Sequence, residues 1–246
     1  MRGLAINVGA NTNEPGFRAP IDEYGQFDFV PIPESESTRE DVHVPTYAEL
    51  DGELGLGVDV RDVADVPTHL DPEFDDYPFC EAYTYGDEHG VKARPIRELE
   101  AGDFLFFYAT LDTPGAATRP DWQPPDWGAF LIGHFRLAED PLGPAAYREA
   151  DEPTRAVFAN NAHVKRETFD AEVLVQGDTW GSALYRAAVP LSSRASGSDP
   201  NRLVTELSAD SGKGPWWRRP LRFDAEATQE LLDVHDTRDL SRCFAD

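Results

Sequence analysis

FLFFYATL (residues 104–111) and GAFLIGHFRL (residues 128–137) decide how this 246-residue chain folds. Each is a nearly unbroken apolar run, too short to cross a bilayer and without the alternating polar positions of a strand that wets one face. Runs of this kind are strands covered on both sides, at the centre of a sheet. Ala101-Gly102-Asp103 turns the chain into the first run, and TRPDWQPPDW (residues 118–127) separates the two. The pair reads as a hairpin or as part of a barrel wall.

Working outward, residues 3–9 predict a strand ending in the polar loop GANTNEPG. QFDFVPIP (residues 26–33) predicts another, stopped by Pro31 and Pro33. Further strands are expected at 172–176, 185–190 and 202–207. Helices are short: one near 47–50, a turn at 96–100, and a last one at 225–234. Asp224 is placed to cap the last of these, and Glu226 lies in its first turn. Residues 34–66 are acidic and mostly loop. Residues 68–88 have no period but are dense in aromatics (Phe74, Tyr77, Phe79, Tyr83, Tyr85), which points to an ordered loop. No internal repeat and no βαβ alternation is visible. The expectation is a single β-rich α+β domain over residues 1–246. Its sheet would be mostly antiparallel, open or partly closed into a barrel, with short peripheral helices.

Composition narrows the setting. Asp and Glu number 46 against 22 Lys and Arg, a formal charge of −24, and only Lys92, Lys165 and Lys213 are lysines. A surface rich in carboxylates and nearly free of lysine stays hydrated in concentrated salt, where its self-repulsion is screened. The acidity is read as adaptation to a high-salt cytoplasm, so it does not argue against nucleic acid. What becomes informative is where the scarce cations cluster. Residues 1–13 lack the apolar core of a signal peptide and no run is long enough for a membrane span, so a cytoplasmic protein without a membrane partner is expected. Cys80 and Cys243 stand alone, outside any CxxC spacing, and are expected as free thiols.

Signatures of P-loop enzymes, Rossmann dehydrogenases, α/β hydrolases, zincins and zinc deaminases are all missing. What remains are four weaker constellations. His69-x-Asp71 has the spacing of an open-shell metal site with one imidazole and one carboxylate. A second imidazole for such a site would come from His134 or His163. The alternative is a polar turn beginning at Asp71-Pro72. His134, inside a buried strand, is either a hydrogen-bonded core histidine or a base on a pocket floor. Asn160, Asn161, His163, Lys165 and Arg166 bring amides, an imidazole and cations into one short segment, suited to a base edge and a phosphate; a solvated loop would explain them too. In Trp216-Trp217-Arg218-Arg219 the side chains for stacking on bases and pairing with phosphates interleave, unless the tryptophans plug the core. Asn7, Asn11, Asn13 and Arg18 follow the first strand and would line a pocket or simply form a turn.

With these residues laid out, the chain resembles the nucleotide modification associated domain 3 family. The carriers are Gly16-Phe17-Arg18-Ala19-Pro20-Ile21, the stretch 25–34 ending Pro-Ile-Pro-Glu, and His69-Leu70-Asp71-Pro72. They continue with residues 101–107, Gly133-His134-Phe135, and the tail from Leu203 through Trp216-Trp217-Arg218-Arg219-Pro220 to His235. The loop Asn11-Thr12-Asn13 departs from the Ser-, Asp- and Gly-rich stretch that the resemblance leads one to expect. A fainter likeness links residues 97–135 to the core hairpin of PUA-like and EVE-like base readers.

The resemblance implies a place in DNA or nucleotide modification systems, with DNA or tRNA as the polymer. Partners would be nucleic acid or a nucleotide, together with other modification-system proteins. It names neither a reaction nor a cofactor. On this reading His69, Asp71 and His163 supply acid–base or metal chemistry, with His69 and Asp71 the metal candidates. Asn160 and Asn161 orient a base, Asn11, Arg18, His134 and Arg166 lie around the substrate, and Trp217, Arg218 and Arg219 hold the strand. The other possibilities are a non-catalytic reader of modified bases and a structural subunit of a modification complex.

The salt reading has a direct consequence. Raising KCl from about 0.1 M to about 1 M contracts the Debye length from about 10 Å to about 3 Å, so the melting temperature should rise by several degrees. A flat or falling Tm over that range counts against halophilic adaptation.

Overall fold

The computed structural model describes residues 1–244. Contacts divide them into two compact units threaded from alternating segments: residues 1–30, 104–134 and 185–244 form one, and residues 31–103 and 135–184 the other. The fold is α+β with a mostly antiparallel mixed sheet.

The first unit is built on strands β1 (Gly3–Asn7), β5 (Phe104–Asp112), β6 (Trp127–Arg136), β8 (Ala183–Pro190) and β9 (Leu221–Phe223), ordered β8-β6-β5-β1-β9. The apolar runs 104–111 and 128–135 are buried along their whole lengths, as central strands must be. Thr113 N donates to Asp126 O at 2.9 Å, so β5 and β6 run antiparallel across a loop of residues 113–126 that is longer than a tight hairpin turn. β1 lies parallel to β5, Gly3 opposite Phe104, and antiparallel to β9. The sheet is open: β8 and the short β9 are its edges, so the partial barrel is not formed. Helix α7 (Ala225–Thr237) is capped by Asp224, whose side chain accepts from Ala227 N, and buries Ala227, Thr228, Leu231 and Val234 on one face. That face sits on β1, where any side chain at position 3 would strike Thr228 and Phe106.

The second unit carries two small antiparallel sheets. β2 (Ile32–Pro33) pairs with β3 (Thr68–His69), and β4 (Thr84–Asp87) with β7 (Val173–Gln176). Around them lie α1 (Tyr47–Leu54), α2 (Gly90–Ile96), α3 (Pro144–Glu149), α4 (Glu152–Val157) and α5 (Ala162–Lys165). Helix α1 starts at a capping box between Thr46 and Glu49.

Several local expectations change. Residues 26–33 make a continuous strand only at Ile32–Pro33, because the prolines remove ladder donors. The loop 68–88 gains β3 and β4 at its ends, and the turn expected at 96–100 is preceded by a full helix, α2, which it continues with Leu99 N donating to Ile96 O at 3.0 Å. Residues 202–207 form the helix α6 (Arg202–Thr205) in place of a strand: Asn201 accepts from Leu203 N at 2.9 Å and starts a helical turn that β-branched content alone does not reveal. Cys80 and Cys243 are free.

Candidate functional site

Three buried side chains from separate segments of the second unit converge. His69 comes from β3, Asp71 from the turn that follows, and His163 from α5; they are 6, 6 and 3 % exposed. His163 Nε2 lies 3.5 Å and His69 Nε2 3.9 Å from Asp71 Oδ2, and the rings meet edge to face with centroids 4.8 Å apart.

Local structure explains the convergence. Pairing of Ile32 with His69 is extended by a bond from Glu34 N to Pro67 O, which sets the Glu34 side chain beside the ring. Asn161 caps α5, its Oδ1 accepting from His163 N, and its Nδ2 reaches Thr84 Oγ1 on β4 at 3.2 Å. Thr84 in turn donates to the fully buried Glu73 at 2.7 Å, and Asn160 donates to the same carboxylate and to Phe79 O. Gly86 on β4 gives its N–H to Asp71 Oδ2 at 2.9 Å. A Cβ at that position would come within 2.6 Å of the His163 ring, so glycine is required for the close approach.

Each imidazole is braced on its far nitrogen. His69 Nδ1 contacts Glu34 Oε2 at 2.7 Å and His163 Nδ1 contacts Asp170 Oδ1 at 2.8 Å. Arg166 joins the two carboxylates, donating to Glu34 at 2.9 and 3.1 Å, to Asp170 at 2.5 Å, and to Glu88. Burial alone would raise the Glu34 carboxyl, but the His69 bond and charge, with Arg166, bring it down to about 2. It is therefore ionised and accepts the His69 Nδ1–H, which turns Nε2 toward Asp71. Burial and the neighbouring His69 lower His163 to about 4 against the opposing pull of Asp170, so this ring is neutral near pH 7. Burial pushes the Asp71 carboxyl well up; the Gly86 N–H opposes this, while Asp87 and Glu73 add to it. Its Oδ1 is buried without a hydrogen-bond partner among the described residues.

The other predicted residues are placed differently. Asn160, Asn161 and Arg166 are all hydrogen-bonded to protein partners beside this cluster. His134 is a core histidine of the first unit, bonded through Nδ1 to Tyr185 Oη at 2.9 Å and packed by Phe104 and Phe106. Asn11 forms a local turn, accepting from Asn13 N. Trp216 is fully buried and donates to Ser198 O, while Arg219 is paired with Asp210. Trp217 is half-buried with its ring 5.3 Å from that of Trp127, over which the Arg18 guanidinium lies at 4.5 Å; Arg218 is exposed. Sequence reasoning missed Glu34, Gly86, Glu88 and Asp170. Two of these carry a signal: Glu34 closes the Pro-Ile-Pro-Glu stretch of the family resemblance, and Asp170 stands four residues from Arg166.

Removing Arg166 would leave Glu34 and Asp170 without their shared counter-ion. Arg166→Met should cost about 3–5 kcal/mol, toward the lower end because Asp170 and Glu88 are partly solvated. Urea unfolding measures it, and a loss under about 1 kcal/mol would show that the network does not hold the site.

Comparisons with curated proteins and with solved structures return no match. Residues 2–233 match the family described as nucleotide modification associated domain 3, nearly the whole chain. The braced His–Asp–His cluster and the Trp127–Trp217 pair both fall within that span, and the chain belongs to the nucleotide modification associated domain 3 family.

Proposed function

We propose that this protein acts on a base or nucleotide within a nucleic-acid modification system, with His69, Asp71 and His163 as its reacting centre and residues 1–246 working as one entity. The family supports the nucleotide setting. The observation that carries the assignment of the centre is the meeting of two braced imidazoles at a buried carboxylate with an unsatisfied oxygen. Buried polar atoms are nearly always paired, and those that are not cluster where chemistry is done. A neutral His163 offers a nitrogen lone pair at neutral pH, suited to accepting a proton or binding an electrophile.

The test is nucleoside mass spectrometry on DNA and tRNA from cells lacking the gene, complemented with wild type or with His69→Ala. The expected result is a nucleoside that disappears, or a precursor that accumulates, restored by wild type and not by the variant. Unchanged profiles in both polymers would overturn the reading.

A non-catalytic reader is the second reading, favoured by one feature of the first unit. Arg18 lies over the Trp127 ring, which meets the half-buried Trp217 edge to face, a cation–aromatic group of the type that holds unpaired bases. If bases stack there, Trp217→Ala should weaken binding of a single-stranded oligonucleotide roughly 5- to 150-fold, the equivalent of about 1–3 kcal/mol per base. Fluorescence anisotropy in high salt measures this, and an unchanged affinity removes the group from the binding surface.

A further inference from the structure

We infer that His69 Nε2, His163 Nε2 and the Asp71 carboxylate bind one divalent first-row transition metal ion, with coordination positions left for water and a substrate atom. The inference shares the reacting centre proposed above but needs no nucleotide.

Distances carry the argument. At 3.5 and 3.9 Å the contacts from His163 and His69 to Asp71 Oδ2 are long for hydrogen bonds. With metal–ligand bonds of about 2.0–2.2 Å, the edge of a tetrahedral site is about 3.4 Å. Donor atoms from all three residues lie within 4.8 Å of one another, so small side-chain rotations close them on a common ion.

Independent of those distances, Asp71 Oδ1 is buried and has no hydrogen-bond partner among the described residues, while Oδ2 already takes the Gly86 N–H. A cation gives Oδ1 the partner it lacks. Both rings also have the outer arrangement of metal-bound histidines: Nδ1 held by a carboxylate and Nε2 turned inward. Two imidazoles and one carboxylate select a transition metal over calcium or magnesium, which take oxygen donors.

A second group of donors, Glu88, His163 and Asp170, is not a rival. Arg166 Nη1 donates to both carboxylates and stands 3.3 Å from His163 Nδ1, so a guanidinium already serves as the cation there.

The test is a Co(II) titration of the full chain, stripped with chelator and held in high salt to suppress binding by surface acids, followed by visible absorption and metal analysis. One equivalent should bind and give a d–d spectrum, and Zn(II) should displace it. The near-isosteric Asp71→Asn and the variant His163→Ala should lose the spectrum, while His43→Ala, at an exposed histidine away from the cluster, should keep it; far-UV circular dichroism checks folding. Glu34→Gln should retain the fold, weaken affinity roughly 10- to 100-fold and shift the band. Gly86→Ala, which pushes on the His163 ring, should also perturb it. Absence of stoichiometric binding, or a spectrum unchanged in Asp71→Asn, overturns the inference. A metal-free protein whose loss still alters the nucleoside profile would sink the metal alone; a metal protein with unchanged profiles would sink the nucleotide reading alone.

Discussion

The Arg166 guanidinium is the interaction on which the candidate centre depends. It sits buried between Glu34 and Asp170, each of which grips one imidazole. Without it two carboxylates would share a low-dielectric site with no counter-charge, and neither could hold its ring firmly. The cost of burying one arginine is offset by bonds to three carboxylates, of which Glu34 and Asp170 push its own proton affinity up despite the desolvation. In a chain with 46 acidic and 22 basic residues, few cations are available, and this one is placed inside.

A second buried carboxylate works differently. Glu73 is fully enclosed and takes bonds from Thr84, from Asn160 and from Glu81 N. It ties the aromatic segment after Asp71 to β4 and to the start of α5. Glu34 and Asp170 orient the rings; Glu73 holds together the backbone segments that deliver them. Gly86 completes the arrangement by lacking a side chain where the His163 ring must pass and by giving its N–H to Asp71 Oδ2.

The first unit has another character. Its sheet is apolar on both faces at β5 and β6, and in its core His134 is bonded to Tyr185 and Tyr108 donates to Arg219 O. What it presents is the half-buried Trp217 beside Trp127, with Arg18 over the Trp127 ring. The family assignment embraces both features without choosing between them.

The amino-acid sequence by itself determined the central strands, because an apolar run bounded by turn residues is a strand covered on both sides wherever it is found. It also determined the final helix, through Asp224 and a periodic apolar face, and the acidic surface. His69 and Asp71 were legible as a pair because two residues of separation keep them neighbours in any extended segment. Residue type alone leaves both His134 and His163 open as the second imidazole, although the reading of the sequence joins His163 to the pair and sets His134 around the substrate. Tertiary structure decided for His163, since Asn161 and Thr84 anchor α5 beside Asp71, while His134 faces Tyr185 in the core. It likewise gave Asn160, Asn161 and Arg166 protein partners, and brought in Glu34, whose partner Arg166 lies 132 residues away along the chain. Contacts of that separation arise only when the folded backbone carries charges out of water together, and no local pattern of residues records which charges will meet.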